Sequence, residues 1–73
     1  MTVLVYTRQG CHLCDQAADL IRDRGVEAEL IDIDLHPELQ EKYTACVPVV
    51  VIDGRVRFRG RVNPVLLQRI IDA

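Results

Sequence analysis

Val3-Leu4-Val5-Tyr6-Thr7-Arg8-Gln9-Gly10-Cys11-His12-Leu13-Cys14 decides how the rest of the chain is read. Val3 to Tyr6 is β-branched, aromatic and almost wholly apolar, as in a short strand covered on both faces. Arg8-Gln9-Gly10 is a polar turn. From about His12 to Arg24 the apolar residues fall at helical spacing, with Leu13, Ala17 and Leu20 in one row and Cys14, Ala18 and Ile21 beside it. A strand therefore hands over to a helix at a pair of cysteines.

That placement has a chemical use. The first turn of a helix leaves backbone N–H groups unpaired. Those groups, with the helix dipole, favour a thiolate at Cys11 over a thiol. Cys14, one turn further in, stands close enough to attack a mixed disulfide formed on Cys11. A CxxC beside a β-α-β pattern is a redox motif. The helix start contributes about 0.3–1 kcal/mol to an exposed charge and up to about 2 kcal/mol to a partly buried one. At about 1.36 kcal/mol per pKa unit, Cys11 is expected roughly one unit below an ordinary thiol. Arg8 adds to this effect and Asp15 opposes it. Moderate activation of this kind suits a reductant. A bridge closing so short a loop would constrain the unfolded chain little, which argues against a purely structural staple.

Working outward, Gly25 supplies a left-handed stop for the helix. Glu27 to Asp34 reads as a second strand in which Asp32 and Asp34 alternate with Ile31 and Ile33. Pro37 opens a short helix through Tyr43. Pro48-Val49-Val50-Val51-Ile52 is a buried strand, and Asp53-Gly54 is a two-residue hairpin signal that folds Arg55–Arg59 back antiparallel. Asn63-Pro64 is an N-cap followed by proline at the first helical position. The last helix carries Leu66, Leu67, Ile70 and Ile71. The predicted order is β-α-β-α-β-β-α, an α/β layer structure whose first two strands are parallel because a helix joins them.

With 73 residues, the chain is expected to be a single domain, 1–73. A domain this small buries only about 60% of the surface its unfolded form exposes. Its composition, 49% apolar with Tyr6, Tyr43 and Phe58 as the only aromatics, predicts a thin core without a large ligand cavity. The net charge of −2 lacks the basic excess of a general nucleic-acid binder. No run approaches the roughly 18 apolar residues of a membrane span. The N-terminus enters an apolar segment without a charged leader, so a cytoplasmic protein without a secretory signal is expected. Three cysteines cannot all pair within a monomer.

Tyr6 to Cys14 resembles the active-site segment of glutaredoxins and glutaredoxin-like proteins. Val47-Pro48 followed by Val49–Ile52 is similar to their cis-proline strand, Asp53-Gly54 to the hairpin after it, and Gly60 to the glycine before their last helix. The resemblance covers nearly the whole chain in order and spacing. It implies a thioredoxin-like fold, a four-stranded mixed sheet flanked by helices. It also implies a cis Pro48 facing the cysteines, with the Val47 backbone pairing with an incoming peptide as an added strand. Two places depart from the family pattern. His12 and Leu13 stand where proline and an aromatic are usual, and Gly60-Arg61-Val62-Asn63-Pro64 replaces a Gly-Gly and acidic residue that hold glutathione. Arg61 is left to meet a glutathione carboxylate. The ending also resembles glutaredoxin-like reductants of ribonucleotide reductase, which take electrons from thioredoxin reductase.

The implied function is a thiol–disulfide oxidoreductase reducing protein or small-molecule disulfides through a Cys11–Cys14 couple. Arg8, His12, Leu13, Val47, Pro48 and Arg61 form the implied substrate side, with no bound cofactor or metal. A monomer is expected, with glutathione or a thioredoxin-reductase-type flavoprotein as electron donor.

Other readings stand beside this one. Cys46 reads as a small buried apolar residue, or as a second resolving thiol or metal ligand. His12 is either a proton donor beside the thiolate or an exposed tuning residue. Arg55, Arg57, Arg59 and Arg61 recur every second residue, which a strand would place on one face as edge protection. Arg59 and Arg61, nearer the cysteines, are alternatively guides for an anionic partner. Asp32 and Asp34 read as the solvated face of a strand. A rival function is thiolate metal binding or iron–sulfur cluster carriage, since soft thiolates select Cu(I) or Zn. Small metallochaperones, however, end in a strand and carry a methionine near the first cysteine. A redox-dead interaction module would have lost one of the two cysteines.

Overall fold

The computed structural model describes residues 1–43 and 47–73. Cys46 lies outside the described residues, so its reading as a core residue or an extra thiol is not addressed by the structure. The elements run β1 (Val3–Thr7), α1 (His12–Asp23), β2 (Glu29–Asp32), a 3₁₀ turn (Ile33–Leu35), α2 (Pro37–Tyr43), β3 (Val49–Ile52), β4 (Arg55–Arg59) and α3 (Pro64–Asp72). The strands form one sheet in the order β2-β1-β3-β4. β1 and β2 are parallel, as the intervening helix requires, and the other neighbours are antiparallel.

Alternation along the central strands builds two thin cores. Val3 and Val5 of β1, with Val50 and Ile52 of β3, pack under Ala17 and Ile21 of α1 and Leu67 of α3. Val49 and Val51, with Leu4 and Tyr6, face Ile33, Leu39 and Tyr43 on the α2 side. Successive side chains point to opposite faces, and both faces are covered, so β1 and β3 read as unbroken apolar runs. Tyr6 and Tyr43 stack with ring centroids 5.2 Å apart and tie α2 to the sheet.

The hairpin forms where the sequence placed it. Asp53 and Gly54 both take positive φ, 50° and 82°, and Ile52 pairs with Arg55 across the two-residue turn. Those dihedrals are the primed-turn signature that matches strand twist, and they favour Asp-Gly.

Two expectations are corrected. The second strand does not run from Glu27 to Asp34. It stops at Asp32, whose carboxylate accepts the Asp34 amide at 2.9 Å and bends the chain into the 3₁₀ turn. A side chain competing locally for backbone N–H groups ends the ladder there. The arginines of β4 also do not share one face. Val50 pairs with Phe58 but Val51 pairs with Val56, so Arg57 is an extra residue in a β-bulge. Arg55, opposite Ile52, lies on the α1/α3 face, whereas Arg59, opposite Val49, lies on the α2 face.

Candidate active site

β1 delivers the chain to a tight turn at Arg8–Gly10, where Gly10 adopts φ +76°. The Cys11 amide donates to the Arg8 carbonyl at 3.4 Å and closes the turn. Cys11 then occupies the N-cap of α1 with extended dihedrals, φ −89° and ψ 103°. Its sulfur accepts the Cys14 amide at 3.1 Å. This is the position normally held by a Ser, Thr, Asp or Asn oxygen. A sulfur here meets the otherwise unpaired N–H groups and the positive end of the helix dipole. Both features favour the thiolate when the residue is reduced.

Cys11 and Cys14 are joined as a disulfide with Cα atoms 5.2 Å apart. Cys14 is only 2% exposed, while Cys11 is half-buried at the surface. The pair thus combines one accessible sulfur with one shielded sulfur. Asp15 is an exposed acid in the first turn of α1, directly after Cys14. His12, the first helical residue, is exposed.

The other candidate residues separate into three groups. Leu13 and Arg61 come together along a cleft of about 470 Å³ between α1 and the β4–α3 connection, with Val62 and Pro64 on its far wall. Val47 and Pro48 lead into β3, and their peptide bond is cis, as the resemblance implied. Because Tyr6 pairs with Val49, this segment enters the sheet at the end where β1 hands over to Cys11. Pro48 is buried and its carbonyl accepts the Gly60 amide at 2.7 Å.

Arg8 is engaged elsewhere. Its Nη2 lies 2.9 Å from Asp34 Oδ1, and its Nε donates to Oδ2 at 3.3 Å. Asp34 is therefore an exposed ion-pair partner of the turn before Cys11, and it lies in the 3₁₀ turn and not in the strand. Sequence reading missed this because 26 positions separate the two side chains. The Asp32-x-Asp34 spacing before Pro37 was the available signal, since an aspartate that can bond the backbone two residues on starts a turn. A larger groove of about 700 Å³ lies at the other end of the sheet, lined by Met1, Arg55, Arg57, Leu66 and Arg69 among others, and none of its lining residues is a cysteine.

A family model described as "Glutaredoxin-like domain (DUF836)" matches residues 2–72. The chain belongs to the glutaredoxin-like domain family. A curated relative, the Gene 56 protein of Mycobacterium phage L5, is 32% identical over 75 residues, covering 96% of this chain and 72% of the relative. Among solved structures, XcR50 of X. campestris superposes with TM-score 0.83 at 26% identity, covering 97% of this chain and 96% of the other. The glutaredoxin-like protein NrdH-redoxin of Escherichia coli gives TM-score 0.76 at 28% identity, with 96% and 95% covered. The glutaredoxin of Archaeoglobus fulgidus gives 0.72 at 25% identity, with 97% and 86% covered.

The fold is thioredoxin-like, as the sequence resemblance implied. Membership in this family, together with a CxxC disulfide at the strand–helix junction, supports a thiol–disulfide redox role. Among the described residues, no group of three or more His, Cys, Asp or Glu side chains is arranged to hold a metal ion. Among the same residues, no helix is long and apolar enough to cross a membrane.

Proposed function

We propose that this protein is a dithiol–disulfide oxidoreductase that reduces disulfides of proteins or small molecules, with Cys11 as attacking thiolate and Cys14 as resolving thiol. One observation carries the reading: the accessible sulfur of the pair caps α1 and takes an amide hydrogen bond, while its partner is buried one turn inside. A general-purpose staple would gain nothing from that asymmetry.

The reaction balances as two exchanges. The Cys11 thiolate attacks one sulfur of a substrate disulfide, and the other substrate sulfur leaves as a thiolate that takes up a proton. Cys14, deprotonated in turn, attacks Cys11 in the mixed disulfide and releases the second substrate thiol. The substrate gains two electrons and two protons, and Cys11–Cys14 is left oxidised, the state described above. In this reading Val47-Pro48 and the Leu13–Arg61 cleft serve as docking surface, with Arg61 offering a cation to an acidic group on the substrate. His12 is the exposed residue that follows Cys11 at the start of α1.

The donor that restores the dithiol is a thioredoxin-reductase-type flavoprotein in this reading, with glutathione as the competing donor. Two observations favour the flavoprotein. Asn63 Oδ1 already accepts the Val65 and Leu66 amides at 2.9 and 3.2 Å, and Pro64 has no N–H to offer. The start of α3 therefore has few donors left for a glutathione carboxylate, and Arg61 alone would have to hold it. Secondly, the E. coli relative NrdH-redoxin is described as a glutaredoxin-like protein with a thioredoxin-like activity profile. A reductant of this class works in a reducing compartment, and the cytoplasm is such a compartment.

NADPH oxidation with a small disulfide substrate tests the reading, run once with thioredoxin reductase and once with glutathione plus its reductase. Turnover with thioredoxin reductase that vanishes in Cys11→Ser is the expected result. Turnover only in the glutathione arm would reverse the donor assignment. Absence of turnover in both arms would remove the reductant function.

A further inference from the structure

Arg8 stands three residues before Cys11, and the two share the turn closed by the Cys11 amide. In the sequence it is a cation free to support the thiolate. In the structure its guanidinium is forked onto Asp34 through both Nη2 and Nε. Asp34 is itself held in place. Its amide is bonded to Asp32 Oδ1 at 2.9 Å, and its Oδ1 also accepts Gln40 Nε2 at 3.0 Å. The side chains of Arg8 and Asp34 are 32% and 36% exposed, so water screens the pair only in part. A two-point arginine–carboxylate fork fixes the guanidinium plane as well as cancelling its charge.

We propose that Asp34 is a positioning residue of the redox centre: by clamping Arg8 it withholds the guanidinium charge from the Cys11 thiolate and keeps the couple reducing. The inference rests on Cys11 being the attacking thiolate. Stabilising the reduced form makes a dithiol couple more oxidising. A free Arg8 would do that, and the Asp34 clamp prevents it. Among the described residues, the other charged or titratable groups at this end of the sheet include Asp32, which accepts the Asp34 amide, His12 and Asp15 on α1, Arg59 at the end of β4, Arg61 across the cleft, the stacked Tyr6 and Tyr43, and Lys42 over the Tyr43 ring. All of them stay unchanged in the variants below.

A four-member cycle tests the clamp: wild type, Asp34→Asn, Arg8→Gln, and the double variant. Each is made in a Cys14→Ser/Cys46→Ser background, so that thiolate absorbance near 240 nm reports Cys11 alone. Asp34→Asn should lower the Cys11 midpoint by about half a unit, the scale of one partly exposed charge near a thiolate. Arg8→Gln should raise it by a similar amount, because the Asp34 charge is then uncompensated. The double variant should return close to the parent. Opposite signs that cancel are not produced by simple loosening of the turn, which would move both single variants the same way.

The intact-cysteine proteins supply the second readout, equilibration with the glutathione couple. At pH 9, above the thiol titration, Asp34→Asn should shift the equilibrium about threefold toward the dithiol, since one pKa unit is a factor of ten. At pH 5 the shift should fade, because Cys11 is then protonated in both proteins. An Asp34→Asn midpoint that is unchanged or raised, or single-variant shifts of the same sign, would overturn the proposal. Wild-type turnover is measured alongside. A working wild type with an unmoved titration rejects the clamp alone, whereas an inactive wild type rejects the oxidoreductase reading itself.

Discussion

Two helices of this small domain begin in nearly the same way and to different ends. Cys11 before α1 and Asn63 before α3 both take extended dihedrals, φ/ψ −89°/103° and −81°/116°. Each turns a side-chain acceptor back onto first-turn amides. At α3 the acceptor is an amide oxygen, it serves two N–H groups, and Pro64 removes a third. That start is saturated and inert. At α1 the acceptor is sulfur, a weak acceptor when neutral and a much stronger one as thiolate. The helix start that is poorly satisfied in its neutral form is the one that favours a charged nucleophile. The same backbone requirement is met by an amide oxygen at one end of the chain and by a cysteine sulfur at the other.

Breaking the α1 cap should have the largest effect. Cys11→Ser keeps a capping hydroxyl but removes the nucleophile, so turnover in the NADPH-coupled assay should fall to background. The melting temperature of the reduced protein should move by less than about 4–8 °C, the shift expected for roughly 1 kcal/mol in a domain this size. A large loss of stability would mean that the sulfur is chiefly structural. Cys14→Ser should come next. Combined with Cys46→Ser, it keeps the attack but not the resolution, so intact-mass analysis after exposure to a glutathione disulfide should find one glutathione adduct, on Cys11 as the one remaining cysteine. An unmodified Cys11 under those conditions would contradict the assigned roles. The smallest effect should come from α3: Asn63→Ala should cost about 1 kcal/mol of stability. Turnover on a small disulfide with thioredoxin reductase should stay at the wild-type rate. A drop in turnover there would extend the active site onto α3.

Much of this arrangement was legible in the residues, for reasons that are local. Val3–Tyr6, the row Leu13, Ala17 and Leu20, and Asp53-Gly54 each announce their structure within a few positions, and the structure follows them. Asn63-Pro64 is legible in the same way. What escaped was decided by partners distant in sequence or by a competing side chain. The Arg57 bulge exists only in the pairing of β4 with β3, and nothing in Arg55–Arg59 alone displays it. The end of β2 depends on one hydrogen bond from the Asp34 amide to Asp32, which outcompetes an otherwise regular alternation. The Arg8–Asp34 pair needs β2 laid beside β1 before the two side chains can meet. The CxxC pair was readable at once, whereas the ion pair in the turn before it emerged only from the fold.

Alkylation of the reduced protein with iodoacetamide across pH, with the modified cysteine identified by peptide mass mapping, tests the central claim most directly. Cys11 should react first, with a rate that rises through a midpoint below the ordinary thiol value of about 8.5. Buried Cys14 should lag far behind. First modification at Cys14, or a Cys11 midpoint at or above the ordinary value, would contradict a nucleophile activated at the start of α1.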